Sequence, residues 1–147
     1  MSNSSNTGFD IKGSCLCGEI QYAVRALEPM MGHCHCSMCR KFHGAAFATL
    51  ASVKTENFQW ISGEALLKSY KADNGTVRKF CGECGSSLIF VPSNDDGKLV
   101  EFSVATLNVD IDLKPDVHIF TQYKSSWYDI EDSLPKFREG RKSEQIE

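Results

Sequence analysis

The sequence predicts a mainly β domain whose short antiparallel strands curl into sheets that pack on one another. Two features carry that expectation: a series of short runs rich in β-branched and aromatic residues, and turn residues placed between them. A third is negative, because helical periodicity is almost absent.

In chain order the expected strands are Glu19–Val24, Phe47–Val53, Phe58–Ile61, Ala65–Tyr70, Val77–Phe80, Ser87–Val91, Leu99–Val104 and Val117–Thr121. Ser62-Gly63, Asp73-Asn74-Gly75 and the stretch from Pro92 to Gly97 supply the breaks. Asp73-Asn74-Gly75 lies between two apolar runs and predicts a hairpin. The helical signal is Ser37–His43, with Ser37 expected as its cap. Residues 1–8 read as a flexible leader and residues 9–139 as one domain. Residues 140–147, charged and poor in apolar side chains, read as a flexible tail.

The formal net charge of −3 argues against a nucleic-acid surface. No apolar run approaches the length of a spanning helix, so no membrane partner is expected. The start of the chain has neither the basic end nor the apolar stretch of a secretory signal, which points to a cytoplasmic, reducing compartment. Seven cysteines there mean metal or catalysis more often than disulfides, and an odd number suits a pure disulfide framework poorly.

The cysteines fall in three clusters: Cys15-Leu16-Cys17-Gly18, Cys34-His35-Cys36-Ser37-Met38-Cys39, and Cys81-Gly82-Glu83-Cys84-Gly85. Two thiolates on one tetrahedral zinc sit ~3.8 Å apart, given a Zn–S length of about 2.3 Å. A two-residue spacer in a tight turn reaches that separation, and Gly82 and Gly85 permit the left-handed backbone of such a turn. Cys81 and Cys84 therefore read as a zinc knuckle with two of its four ligands. Cys15 and Cys17 share one face of a strand, and Gly13 and Gly18 allow the kink that brings their sulfurs together. Together the four thiolates make a closed, structural Zn²⁺ site that staples an early strand to a distant hairpin.

Cys34, Cys36 and Cys39 remain as a three-thiolate tripod. A tripod with an open fourth position is how catalytic zinc is held, and these three cysteines are the candidate catalytic residues. Two other readings stay open: a structural site closed by His33, His35 or His43, and a redox or disulfide role. Taken singly, each histidine reads as a surface group or a neighbour of the site, and His118, in an apolar strand, as structurally satisfied. Trp60, Trp127 and the phenylalanines read as core. Arg40 and Lys41 directly follow the tripod, either as solvated charge or as a clamp for the carboxylate of an anionic substrate.

Three segments together resemble the glutathione-dependent formaldehyde-activating enzyme (GFA) family, also described through its centromere-protein-V-like members. They are Gly13-Ser-Cys15-Leu-Cys17-Gly-Glu-Ile-Gln-Tyr22, His33-Cys34-His35-Cys36-Ser-Met-Cys39-Arg40-Lys41, and Phe80-Cys81-Gly-Glu-Cys84-Gly-Ser86. The resemblance runs from about Phe9 to Tyr128, with all three clusters in order and at spacing. Val117-His118-Ile119-Phe120 and Ser126-Trp127 look like the family's closing strand and tail, with Ser126 where the family often has proline. The resemblance implies an Mss4-like fold of curled antiparallel sheets around a four-cysteine zinc, and a second zinc on Cys34, Cys36 and Cys39. It implies a carbon–sulfur lyase, similar to S-(hydroxymethyl)glutathione synthase, that joins a glutathione-like thiol to formaldehyde or another small aldehyde. Two competing readings are a non-catalytic zinc module that binds a protein partner, and a thiol oxidoreductase.

Overall fold

The computed structural model describes residues 8–147, so the expected leader lies outside the described residues except for Gly8. The strands in chain order are β1 (Ile11–Ser14), β2 (Gln21–Val24), β3 (Met31–Cys34), β4 (Ala48–Lys54), β5 (Phe58–Ser62), β6 (Leu67–Lys71), β7 (Val77–Cys81), β8 (Ser87–Val91), β9 (Leu99–Ser103), β10 (Val117–Ile119), β11 (Lys136–Phe137) and β12 (Gln145–Ile146). The α-helix, α1, is Ser37–His43, at the residues expected. No helix among the described residues is long and apolar enough to cross a membrane.

The chain divides into two compact units. The first takes in the chain up to Glu28 together with Ser52–Asp112. Within it β1, β2 and β5 form an antiparallel sheet in that order, and β6, β7, β8 and β9 follow one another as an antiparallel run. Tyr22, Ala23 and Val24 are buried on β2. The Tyr22 ring stacks on Phe58 at 5.3 Å and meets Phe102 edge-on at 5.7 Å. Its hydroxyl donates to Thr106 Oγ1 at 2.6 Å, because the Thr106 hydroxyl already donates to the Ser103 carbonyl. An aromatic with a satisfied polar end can thus sit at the centre of an apolar layer. The expected hairpin joins β6 to β7. Gly75 takes φ +90°, and Asn74 Oδ1 accepts from the Thr76 N–H at 3.1 Å.

The second unit is Pro29–Ala51 and Leu113–Glu147. Here β3 lies between antiparallel β4 and parallel β10, in the registers Cys34↔Ala48 and Cys34↔Ile119. β10 also runs parallel to β11, which pairs antiparallel with β12.

Several sequence expectations shift. Residues Glu64–Leu66 form a 3-10 turn, so the strand expected from Ala65 begins at Leu67. The strand expected to reach Thr121 stops at Ile119, because Phe120 has φ +57°, outside the β region. β1 and β3 were not expected: IKGS and MGHC each contain glycine and lack the usual strand composition. The charged C-terminal stretch expected as a flexible tail carries β12, and its Arg141 pairs with Asp116 through two hydrogen bonds of 2.7 and 2.9 Å.

Candidate metal centres

The first unit brings Cys15, Cys17, Cys81 and Cys84 together, with all four sulfurs within 4.8 Å of one another. Cys15 and Cys17 Sγ are 3.5 Å apart and Cys17 and Cys81 Sγ 3.9 Å, close to the separation a shared tetrahedral zinc imposes. Two similar turns supply them. In one, Cys15 N–H donates to the Ile20 carbonyl and Gly18 N–H to the Cys15 carbonyl; in the other, Cys81 N–H donates to Ser86 and Gly85 N–H to Cys81. Gly18 and Gly85 carry the left-handed backbone, at φ +83° and +81°. Gly82 serves a different purpose from the expected one: a Cβ there would lie 2.9 Å from the Leu66 carbonyl oxygen, so close packing excludes a side chain. In each turn a backbone N–H points at sulfur, from Ile20 to Cys15 and from Glu83 to Cys81, both at 3.3 Å. Such dipoles stabilise thiolate.

Sequence reasoning gave Ser86 a place in the third segment but no role of its own. Its hydroxyl lies 3.2 Å from Cys84 Sγ and accepts the Leu16 N–H at 2.8 Å, tying one turn to the other. That hydroxyl is the main reason the Cys84 thiol is lowered to about 5. The Glu19 backbone N–H pulls Cys17 down, but desolvation and the neighbouring thiols outweigh it and push Cys17 up to about 12.

In the second unit the sulfurs of Cys34, Cys36 and Cys39 lie within 4.8 Å of one another. Cys34 ends β3, Cys36 caps α1 and Cys39 lies inside it. The cap is Cys36 and not Ser37. Cys36 has extended backbone, at φ −63° and ψ 153°, and its sulfur accepts the Cys39 N–H at 3.2 Å. Gly44, left-handed, closes the other end. Cys36, Leu50, Ile119 and Phe120 pack against Cys34, Cys39 and Ala48. The neighbouring Cys36 and Cys39 thiols, and then burial, raise the Cys34 thiol well above its ordinary value.

No histidine nitrogen or carboxylate joins either thiol group among the described residues. Alternation explains this for His33, the neighbour of Cys34 on β3. His33 Nδ1 lies 2.8 Å from Thr49 Oγ1, and its ring packs 4.4 Å from Phe47. His35 and His118 are fully buried, with His35 Nε2 2.8 Å from His118 Nδ1. His118 Nε2 faces the Asp132 carboxylate at 3.0 and 3.2 Å. Burial, and then His118, push His35 down to about 4. Asp132 escaped the sequence reading, because nothing in its own neighbourhood marks it.

Arg40 Nε is buried without a hydrogen-bond partner. Trp127, expected in the core, is 73% exposed. A surface cavity of about 240 Å³ lies among Phe58, Trp60, Lys79, Ile89 and Phe90 of the first unit, and none of the seven cysteines lines it.

The donor chemistry fits zinc at both groups. Soft sulfur donors are gathered at metal-binding separations, with backbone N–H groups aimed at sulfur in both groups.

A crystal structure of a Rhodobacter sphaeroides protein superposes with a TM-score of 0.57 at 24% identity, over 69% of this chain and 91% of that one. The likeness supports the fold. An uncharacterized lyase of Schizosaccharomyces pombe is 26% identical over 134 residues, covering 85% of this chain and 95% of the relative. A Halomonas elongata protein, provisionally named a glutathione-dependent formaldehyde-activating enzyme, is 28% identical over 129 residues, covering 82% of this chain and 81% of the relative. The family profile described as glutathione-dependent formaldehyde-activating enzyme matches residues 10–123, a span that includes every cysteine in both thiol groups. With that match across most of its length, the chain belongs to the glutathione-dependent formaldehyde-activating enzyme family.

Proposed function

We propose that the chain is a carbon–sulfur lyase-type enzyme that joins a glutathione-like thiol to formaldehyde or a similar small aldehyde, giving an S-hydroxymethyl adduct, at Cys34, Cys36 and Cys39. The observation that carries this reading is the incomplete donor set: three sulfurs within 4.8 Å and no fourth protein ligand among the described residues. A zinc ion held there would favour the thiolate form of a thiol that reaches it. In the reaction the substrate sulfur bonds to the carbonyl carbon, the C=O π pair moves to oxygen, and the proton lost by the thiol ends on that oxygen. No oxidant or reductant is needed.

The cysteines also disfavour hydroxide chemistry. Their three negative charges exceed the two positive charges of the ion, which makes the site a weak Lewis acid compared with one built from neutral histidines. Formaldehyde offers little surface, so binding energy has to come from the thiol partner. Arg40, with its buried and unpaired Nε, is the candidate clamp for a carboxylate of that partner.

The test is calorimetric titration of the zinc-loaded protein with glutathione, followed by formaldehyde, with ¹³C NMR reporting adduct formation. Glutathione binding and adduct formation faster than in protein-free buffer are expected, and Arg40→Ala should raise the KM for glutathione roughly tenfold. No glutathione binding, or no acceleration, refutes the reading.

A further inference from the structure

The surface cavity of the first unit, about 240 Å³, is unused by the reaction proposed above. It opens between β5 and the run of strands from β7 to β9. From β5 come Phe58 and Trp60, two residues apart and so on one face of the strand. Their rings meet edge-on at 4.8 Å, and Phe58 also stacks on the buried Tyr22 ring at 5.3 Å, which fixes this wall to the core. From the other strands come Lys79 and Ile89, cross-strand partners on β7 and β8. The rim is pinned as well. The Thr55 hydroxyl donates to the Gly97 carbonyl, and the Thr55 N–H donates to the Lys98 carbonyl at 3.0 Å. The space is therefore preformed.

Charge decides what it can take. Arg78 and Lys79 are neighbours on β7, but Arg78 is buried, donates to Thr76 Oγ1 at 2.9 Å and lies 4.9 Å over the Phe90 ring. Lys79 lines the cavity, half-buried, and makes no ion pair among the described residues. A neutral or cationic ligand entering beside it would strip water from the ammonium and give little back, whereas a carboxylate replaces that water. Asp95, also in the lining, is exposed on the loop after β8 and keeps its own water, so it repels such a ligand weakly.

We propose that this cavity is a binding site for a small aromatic carboxylate, whose ring lies against Phe58, Trp60 and Ile89 and whose carboxylate pairs with Lys79. Size sets the upper bound. An apolar cavity of about 150 Å³ holds benzene. This one has room for a ring and a short acidic arm but not for a peptide. A fixed pair of aromatic rings favours a planar ligand, through ring contacts that add to the area buried. The site is independent of the tripod and of the reaction assigned to it.

The test is a ¹H–¹⁵N NMR titration of the zinc-loaded protein with 3-phenylpropanoate, read at the indoles of the two tryptophans. Trp60 should shift, and Trp127, 73% exposed and outside the lining, should not. 3-Phenylpropanamide and 2-phenylethylamine keep the ring and change the charge, and each should bind roughly tenfold more weakly. Lys79→Met should lower the affinity for 3-phenylpropanoate by roughly the same factor and abolish the preference over the amide, while Asp95→Asn should leave it within about twofold. A Trp60 resonance that stays fixed up to roughly 10 mM 3-phenylpropanoate overturns the site. Binding of the amide or the amine as tight as that of the carboxylate overturns the pairing with Lys79, and it does so on the parent protein, whatever the variants' folding.

Discussion

Cys84→Ser and Cys36→Ser exchange the same atom, sulfur for oxygen, yet should have very different consequences. In the first unit the sulfur cluster joins two turns 64 residues apart. Cross-linking a loop of that length removes about 4 kcal/mol of conformational freedom from the unfolded chain. The tripod spans Cys34 to Cys39 and closes a loop about an order of magnitude shorter, which on the same logarithm is worth ~2 kcal/mol less. The helix turn already orders most of that short segment, and Cys36→Ser keeps its cap, since serine is a good acceptor for the Cys39 N–H. Cys84 is only partly buried, so a serine there carries little packing penalty, and the effect of Cys84→Ser reports the metal link. At roughly 2–4 °C per kcal/mol for a chain of this size, Cys84→Ser should lower Tm by roughly 8–16 °C. Cys36→Ser should lower it by less than about half as much, while zinc content falls from about two ions per chain to about one. Differential scanning calorimetry with elemental analysis of the three proteins reads both quantities. Equal losses of Tm would show that the tripod is as structural as the four-cysteine site. A single zinc in freshly purified parent protein, never exposed to chelator, would remove the premise.

Further outcomes follow from the same geometry. Tyr22→Phe removes the donor to Thr106 Oγ1 from a buried site and should cost about 1 kcal/mol in urea unfolding, since Thr106 keeps its bond to the Ser103 carbonyl. Arg141 lowers the Asp116 carboxyl, an effect that stabilises above the unfolded pKa of about 3.9 and is lost as pH falls through the folded value. Arg141→Ala should therefore cost less than about 1 kcal/mol at pH 7, the pair being solvent-screened, and the gap in urea midpoints should shrink below pH ~4. Metal release should also be ordered by pH. Protons compete with zinc for every thiolate, and a site with three protein sulfurs holds the ion less firmly than one closed by four. Acidification should empty the tripod before the four-cysteine site, and chelator-dye titration of Cys36→Ser beside the parent protein assigns each step.

How far the sequence reached differs between the two thiol groups and the rest of the molecule. The spacing within each cysteine cluster is local geometry, set by a turn or a cap of a few residues, so the division into four and three was legible before any fold was known. The same holds for Ser37–His43 and for the Asn74-Gly75 turn, whose backbone shapes depend on residues within the segment. Gly82 was misread for the complementary reason: its constraint is the carbonyl of Leu66 on a neighbouring segment, which its own turn does not contain. Trp127 was misread because an aromatic side chain favours burial only if the fold supplies a place for it.

The sequence alone determined which atoms can hold metal, because ligand type and short spacing are properties of the chain itself. Only tertiary structure decided what lies beside β3, where residues 83 apart in the chain meet as His35 and His118 through a parallel pairing. Parallel neighbours are brought together by a long crossover rather than a tight turn, and such a crossover leaves no local signature at either end. Asp132 lies in the irregular stretch between β10 and β11, and a residue with no motif around it thus ends the line that reaches His35.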